Sequence, residues 1–210
     1  MQTPVTRLGD LHGPRDRAYA LTFDDGPERP WTAAILDRLA ELGVPATFFV
    51  LGHKIEGNED LLRRMVELGC GVEVHAWVHI LMTEQIPEHV GADIRRTARL
   101  ITAATGRAPR FVRPPNGAVN AAVLEQISGC GMVPAFWSTH GEDWSSPGTD
   151  AIVRDVGAGL RRGAVVLLHD GGGDRSQTVA ALPAIVAAAT ARGLRAVRLP
   201  DWDGEPPLMT

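Results

Sequence analysis

Two short segments of the sequence carry carboxylates and imidazoles at spacings that suit metal chemistry. Asp24 and Asp25 are adjacent and stand directly before Gly-Pro, at the end of an apolar run. Neighbouring side chains point in different directions on an extended backbone, so one aspartate can bind a metal while the other acts as a base. His75 and His79 are four residues apart, a spacing that would place both imidazoles on one face of a helical turn. Two histidines and one carboxylate leave coordination positions open, which is typical of a catalytic metal site.

Two further loops combine a charged side chain with an unusual backbone. Arg113 is followed by two prolines, the second of them Pro115, and then by Asn116. The prolines stiffen the chain and present the Asn116 N–H outward, where it can stabilise an oxyanion. His169 ends a continuous apolar run and precedes Asp-Gly-Gly-Gly, whose glycines allow close approach to a ligand. No Gly-Lys-Ser or Gly-Lys-Thr follows, so the sequence does not predict a phosphate-binding loop.

The segments that position these residues alternate between short apolar runs and longer helical patterns. Strands are predicted at 19–23, 46–50, 72–75, 110–113, 133–137, 164–168 and 195–199. Helices are predicted at 30–42, 59–68, 90–105, 118–128, 149–161 and 177–191. This alternation predicts parallel strands with the helices outside. Seven strands suffice for a nearly closed barrel, and an open doubly wound sheet is the alternative.

The reactive residues share one position relative to the predicted strands. Each lies at or just beyond the carboxyl end of a strand, and together they are Asp24, Asp25, His75, His79, Arg113, Asp143, Trp144 and His169. Parallel β/α architectures place their active sites at this edge of the sheet. The sequence therefore predicts one site that is assembled from many loops.

Composition and charge exclude several classes of protein. The chain has 210 residues, of which 44% are hydrophobic and 22% charged, so a single globular domain is expected. The net charge is −4 and the basic residues form no stripe, so nucleic acid is not an expected partner. No apolar run is long enough for a signal-peptide core or a membrane span, which predicts a cytoplasmic protein without a membrane partner. Cys70 and Cys130 are interpreted as small buried residues at turns, although a disulfide between them is left open.

Five motifs together resemble one known family. They are Thr-Phe-Asp-Asp-Gly-Pro at 22–27, the His-x-x-x-His pair, the Arg-Pro-Pro loop, Asp143-Trp144, and Leu-Leu-His-Asp-Gly-Gly-Gly at 167–173. From about residue 19 to residue 199 the chain resembles the polysaccharide deacetylase family, also called the NodB-homology or carbohydrate esterase family 4 group. The resemblance implies a single-domain, distorted (β/α)7 barrel at 19–200, between an N-terminal extension at 1–18 and a C-terminal tail at 201–210. It also implies one divalent metal, usually zinc, with cobalt, nickel and manganese as the other choices.

The same resemblance implies a role for each matching residue. The implied metal ligands are Asp25, His75 and His79. Asp24 is the implied general base, paired with Arg113, and His169 is the implied general acid, oriented by Asp143. The remaining matches are implied to bind the substrate or the oxyanion, and they are Pro115, Asn116, Trp144 and Leu167. The set implies hydrolysis of an N-acetyl group by an activated water.

Four positions depart from the family's usual pattern. Asn116 stands where the family has an aromatic residue, and Ala76 stands where it has Ser or Thr. Val74 and His140 replace an Asn and an Asp. The changes around His75 remove hydrogen bonds that orient imidazoles, which would weaken metal binding about 10–100-fold. His140 is a candidate to line the groove or approach the metal.

The substrate and the alternatives follow from these observations. With one tyrosine and no obvious aromatic platform, the expected substrate is a small N-acetylated amino sugar, an oligosaccharide or a glycosylated metabolite. One alternative is hydrolysis of a small cyclic amide or ureide, as in the allantoinase-like branch of the superfamily. The other is a non-catalytic carbohydrate-binding module, but binding alone needs neither the base Asp24 nor the acid His169. The oligomeric state is left open.

Overall fold

Strands and helices alternate along the chain, as the sequence predicts. The computed structural model describes residues 17–199. Its strands are β1 (Ala18–Asp24), β2 (Thr47–Leu51), β3 (Gly71–Ala76), β4 (Phe111–Val112), β5 (Val133–Pro134), β6 (Thr139–His140), β7 (Val165–His169) and β8 (Arg195–Ala196). Its α-helices are α1 (Trp31–Leu42), α2 (Glu59–Glu67), α3 (Pro87–Thr105), α4 (Ala121–Gly129), α5 (Thr149–Gly159) and α6 (Ser176–Ala191).

The strands pair in parallel within one curled sheet. Its order is β5-β4-β3-β2-β1-β7-β6, and β8 pairs separately with the start of β1. The edge strands β5 and β6 are consecutive in the chain, and the Ala135 N–H donates to Val112 of β4 while the Ser138 N–H donates to Val165 of β7. The predicted strand at 133–137 is therefore divided, because the chain there passes from one edge of the sheet to the other. The curled sheet, with this crossing between its two edges, is the expected single-domain distorted barrel and not an open doubly wound sheet.

Alternation along β1 divides the core into two parts. All seven residues of β1 are buried. Tyr19 and Phe23 pack in the large cluster that includes the helices, while Ala18 and Ala20 belong to a smaller cluster inside the barrel. Asp24 continues the inward row because side chains alternate along a strand. The barrel interior is thus apolar at its base, and β1 delivers a carboxylate at its carboxyl end.

The ends of the chain and the cysteines complete the comparison with the sequence. The predicted extension at 1–18 lies outside the described residues except for its last two, and the tail at 201–210 lies wholly outside them, so both boundaries stay predictions. Cys70 is buried, Cys130 is half-buried, and both are free thiols. Between residues 17 and 199, no helix has the length and apolar character needed to cross a bilayer. The cytoplasmic location stays a prediction.

Candidate active site

A cavity of about 410 Å³ opens at the carboxyl ends of the strands. The side chains that line it are Asp24, Asp25, His75, His79, Asn116, Trp137, Trp144, Leu167 and His169. All of these except Trp137 are predicted from the sequence. The three other predicted residues, Arg113, Pro115 and Asp143, are buried and do not line the cavity. The parallel sheet therefore gathers the predicted residues into one site.

Three side chains on one wall of the cavity form a cluster that can hold a metal ion. The Asp25 Oδ1 lies 3.3 Å from the Nε2 of His75 and 3.6 Å from the Nε2 of His79. One ligand atom from each residue lies within 4.8 Å of the others. Asp25 is the first residue after β1 and has a left-handed backbone, with φ of 77°. Asp25 thus joins the metal cluster, whereas the neighbouring Asp24 pairs with Arg113.

The expectation that His75 and His79 share a helical turn is wrong. His75 lies on β3 and is buried, with its side chain 2% exposed. His79 lies beyond the strand in a bend, where the Ile80 N–H donates to the Val78 carbonyl, and its side chain is 40% exposed. The bend returns the second imidazole toward the first, with 5.3 Å between ring centroids. The four-residue interval does bring the two imidazoles together, but it does so through a strand end and a tight bend instead of a helical turn.

Hydrogen bonding fixes which nitrogen of His75 faces the cluster. The His75 Nδ1 lies 2.6 Å from the Arg113 carbonyl oxygen, which can only accept, so Nδ1 carries the proton. Nε2 then presents a lone pair to the Asp25 Oδ1, a buried atom without a hydrogen-bond partner among residues 17–199. Burial raises the pKa of Asp25, whereas the imidazoles of His75, His169 and His79 lower it to about 2 when they carry a positive charge, so the carboxylate is anionic. Lone pairs that face one another fit a bound cation.

This contact also bears on the departures next to His75. The Arg113 carbonyl supplies an acceptor that orients the imidazole without any hydroxyl at Ala76. The His140 ring packs against Trp144, with 5.3 Å between centroids, and belongs to neither the metal cluster nor the cavity lining. The candidate role of His140 in approaching the metal is therefore wrong, and its role in lining the groove stays a prediction.

Asp24 forms a buried ion pair with Arg113 on the inner side of the cavity. The Arg113 Nη1 donates to the Asp24 Oδ1 at 2.7 Å and to the Thr22 Oγ1 at 2.8 Å. Its Nη2 donates to the Phe136 carbonyl at 3.0 Å, and its guanidinium carbon lies 4.1 Å from the centroid of the Phe49 ring. Burial lowers the pKa of Arg113, whereas the charge of Asp24 raises it. The buried guanidinium thus holds one oxygen of the Asp24 carboxylate in place.

His169 and Asp143 form the third element of the site. The His169 Nδ1 lies 2.8 Å from the Asp143 Oδ1, and the His169 backbone N–H donates to the Asp143 Oδ2 at 2.9 Å. The Thr178 hydroxyl donates to the same Oδ2 at 2.8 Å. Burial lowers the pKa of His169, but the hydrogen bond and charge of Asp143, with the charges of Asp24 and Asp25, outweigh burial and raise it above the ordinary value. An acceptor at Nδ1 leaves Nε2 of the imidazole to carry a proton toward the cavity.

The remaining predicted residues form the floor and rim of the cavity. Asn116 adopts a left-handed conformation, with φ of 55°, directly after the buried Pro115. The hydrogen bonds of this turn are donated by the two residues that follow, Gly117 and Ala118. Leu167 is 4% exposed, whereas Trp144 is 46% exposed and lies edge-on to His169 with 5.4 Å between ring centroids. The lining of the cavity therefore has an apolar side, formed by Leu167 and Trp144, besides its carboxylates and imidazoles.

Comparison with known proteins relates most of the sequence to one family. The sequence profile of the polysaccharide deacetylase family matches residues 12–135. The chitooligosaccharide deacetylase of Rhizobium leguminosarum bv. trifolii is 42% identical over 204 residues, which cover 91% of this chain and 94% of that protein. The peptidoglycan-N-acetylglucosamine deacetylase of Bacillus cereus is 34% identical over 188 residues, covering 89% of this chain and 88% of its own.

The fold comparison points to the same group. A solved structure of a family 4 carbohydrate esterase from Streptomyces lividans, in complex with acetate, superposes with a TM-score of 0.80 at 34% identity. The superposition covers 85% of this chain and 91% of that one. On sequence and fold together, the chain belongs to the polysaccharide deacetylase family.

Proposed function

We propose that this chain is a metal-dependent deacetylase that removes the N-acetyl group from an amino sugar in a short oligosaccharide or a similar small glycoside. One observation carries the proposal: Asp25, His75 and His79 converge beside two groups outside the metal cluster, the Asp24 carboxylate and the His169 imidazole. Amide hydrolysis needs a polarised carbonyl, a base for water and an acid for the amine. The cavity supplies side chains for all three roles.

The chain's own donors fit a zinc ion. Two imidazoles and one carboxylate are ligands that zinc accepts, and three protein ligands leave positions open for water and substrate. When bound, a divalent cation polarises the amide carbonyl and lowers the pKa of water. The ligands proposed here are Asp25, His75 and His79, with Asp25 neutralising part of the ion's charge.

Asp24 is the proposed general base. Its Oδ1 is held by Arg113, so the other carboxylate oxygen remains for the attacking water. As the water oxygen bonds to the amide carbon, Asp24 takes the water proton. The Arg113 guanidinium holds this buried carboxylate in one orientation.

His169 is the proposed general acid. The amide carbon–nitrogen bond breaks only when the nitrogen is protonated, because an amide anion is a very poor leaving group. His169 gives its Nε2 proton to that nitrogen, and the Asp143 carboxylate stabilises the imidazolium before the transfer. The products are acetate and a free amine. The raised pKa of His169 keeps it protonated closer to neutral pH.

The apolar side of the cavity is proposed to bind the acetyl group. Leu167 and Trp144 supply an apolar surface for the methyl group, and Pro115 supports the turn that carries Asn116. The Asn116 N–H is proposed to donate to the oxyanion of the tetrahedral intermediate. The relatives are named as deacetylases of chitooligosaccharide and of peptidoglycan N-acetylglucosamine, which supports deacetylation over the cyclic-amide alternative.

Acetate release from zinc-reconstituted protein tests the proposal. The substrates are N-acetylglucosamine oligomers of increasing length and a peptidoglycan fragment, since the relatives are named for both classes. We expect acetate from the oligomers and a loss of about 10²–10⁴-fold in kcat for Asp24→Asn. Asp37→Asn on an exposed face of α1 is the matched control. Undiminished turnover in Asp24→Asn, or no acetate from any amino sugar with the wild-type protein, would contradict the proposal.

A further inference from the structure

One continuous chain of hydrogen bonds runs behind the cavity, from the metal cluster to the general acid. We infer that Lys54 and Arg175 are positioning residues of this site, which together fix the backbone of Asp25 relative to the couple of His169 and Asp143. The inference rests on the proposed function. None of the sequence motifs includes Lys54 or Arg175, and neither side chain lines the cavity.

Lys54 lies at the end of this series of hydrogen bonds that is next to the metal cluster. It is the single lysine among 21 basic residues and lies in the short helical turn after β2. Its Nζ donates to the Asp25 carbonyl at 2.9 Å and forms an ion pair with Glu28. These side chains are 20% and 31% exposed. Since Asp25 has a strained left-handed backbone, an ammonium on its carbonyl helps hold that conformation.

Glu28 extends the chain to the loop that follows β7. Its Oε2 accepts a hydrogen bond from the Gly172 N–H at 3.1 Å. Gly172 has φ of 76°, and a Cβ at this position would lie 3.0 Å from the Asp25 Oδ2. The glycine backbone therefore passes directly against the carboxylate of the proposed ligand. Any shift of this loop moves a wall of the metal site.

Arg175 holds the same loop from the other side. Its Nη2 donates to the Gly172 carbonyl at 2.9 Å, its Nε to the Gly171 carbonyl at 2.9 Å, and its Nη1 to the Asp143 carbonyl at 3.0 Å. The residue is 3% exposed, and within residues 17–199 it forms no ion pair with a carboxylate. Burying a cation is costly unless its donors are satisfied, so this guanidinium is committed to three carbonyls.

The two cations are therefore linked through one residue, Gly172, which Lys54 reaches through Glu28 and Arg175 contacts directly. Gly172 donates to the carboxylate held by Lys54 and accepts from Arg175. Arg175 also contacts Asp143, whose carboxylate forms hydrogen bonds with the backbone N–H and the ring Nδ1 of His169. Lys54 thus acts on the proposed metal ligand, and Arg175 acts on the proposed acid. Because Lys54 and Arg175 hold the same loop, loss of one side chain also weakens the positioning effect of the other.

Two readouts separate these roles from a general loss of structure. For Lys54→Met, we expect zinc affinity, measured by competition with a chromophoric chelator, to fall about 10–100-fold. Lys54→Arg, which keeps the cation, should recover most of it. For Arg175→Lys, we expect kcat to fall by up to about 10²-fold with KM little changed, because the acid is displaced while the cavity persists. Arg38→Met and Arg38→Lys, at an exposed pair on α1, are the matched controls.

A double variant tests the link between the two cations. The loss of kcat/KM in Lys54→Met with Arg175→Lys should be smaller than the product of the two single losses, because both act through Gly172. If Arg175→Lys does not fold, Glu28→Gln, which weakens the bridge at a half-buried position, replaces it in the cycle. Zinc affinity of Lys54→Met equal to that of the controls, or multiplicative losses, would overturn the inference. An inactive wild-type protein would instead contradict the proposed function, and the zinc titration would still test Lys54.

Discussion

The Arg113 guanidinium lies 2.7 Å from the Asp24 carboxylate at a position where Arg113 is fully buried and Asp24 is 3% exposed. Arg113 comes from the end of β4 and Asp24 from the end of β1, so the pair crosses the barrel interior. It holds Asp24, the proposed general base, against a guanidinium that is buried from solvent. Its partners, Thr22 and the Phe136 carbonyl, leave the guanidinium little freedom.

Removal of Arg113 is expected to destabilise the fold as well as the reaction. Arg113→Met leaves the Asp24 carboxylate buried without a counterion, which costs about 3–5 kcal/mol of unfolding free energy. Urea denaturation of the zinc-free protein measures this loss. Asp24→Asn combined with Arg113→Met should recover part of it, because the uncompensated charge is gone. Arg38→Met, at an exposed pair, should change stability by less than about 1 kcal/mol. Equal stability of Arg113→Met and wild type would show that the pair contributes nothing.

Zinc is expected to stabilise the folded protein. A ligand that binds only the folded state adds about 2.7 kcal/mol at a free concentration of 100 times its Kd. Thermal unfolding should therefore shift to higher temperature when zinc is added, and chelation should reverse the shift. His75→Ala should abolish the shift, whereas His89→Ala, an exposed position on α3, should retain it. A full zinc shift in His75→Ala would place the metal elsewhere.

The sequence predicts where the reactive residues lie because the end of a strand can be recognised from the local sequence alone. Once Asp24, His75, Arg113 and His169 are each placed at the carboxyl end of a parallel strand, one common edge follows from topology. The conformation between ligands does not follow. The interval from His75 to His79 fits a helical turn as well as a bend, and only the path of the chain after β3 decides between them.

Contacts between distant segments account for what the sequence does not reveal. Trp137 lies in the crossing from β5 to β6, and no motif distinguishes it from a residue within a strand. Lys54 and Arg175 act through backbone carbonyls 29 and 32 residues away along the chain. Such contacts leave no pattern in composition or spacing. The one available hint was that Lys54 is the only lysine in the chain.

Stability at low pH should report on the pairing of His169 with Asp143. A histidine whose pKa is raised by folding adds stability below its unfolded value of about 6.5 and loses it as pH rises through the folded value. The difference in unfolding free energy between wild type and Asp143→Asn should therefore be larger near pH 6 than near pH 9. Urea titrations of zinc-free protein measure it. The lost Thr178 hydrogen bond contributes equally at both, so a difference independent of pH would refute the raised pKa.

Two substitutions of Asn116 distinguish a role of its backbone N–H from a role of its side chain. Asn116→Gly keeps the N–H and adopts φ of 55° without strain, so kcat for acetate release should be unchanged. Asn116→Ala also keeps the N–H but should lower the unfolding free energy by about 1–2 kcal/mol, because the left-handed conformation disfavours a Cβ. Steady-state kinetics and urea denaturation provide the two numbers. A large loss of kcat in Asn116→Gly would mean that the amide side chain, and not the backbone, contacts the reacting group.

The exposed ring of Trp144 allows substrate binding to be tested apart from folding. Its side chain packs between His140 and His169 but is 46% exposed, so Trp144→Ala should change the unfolding free energy by no more than about 0.5 kcal/mol. Loss of an apolar contact with the acetyl group should lower kcat/KM about tenfold or more. Ile86→Ala, which removes another exposed apolar side chain outside the cavity, should leave both quantities unchanged. If Trp144→Ala unfolds readily, the ring supports the loop that carries Asp143. If kcat/KM is retained, the acetyl group binds elsewhere in the cavity.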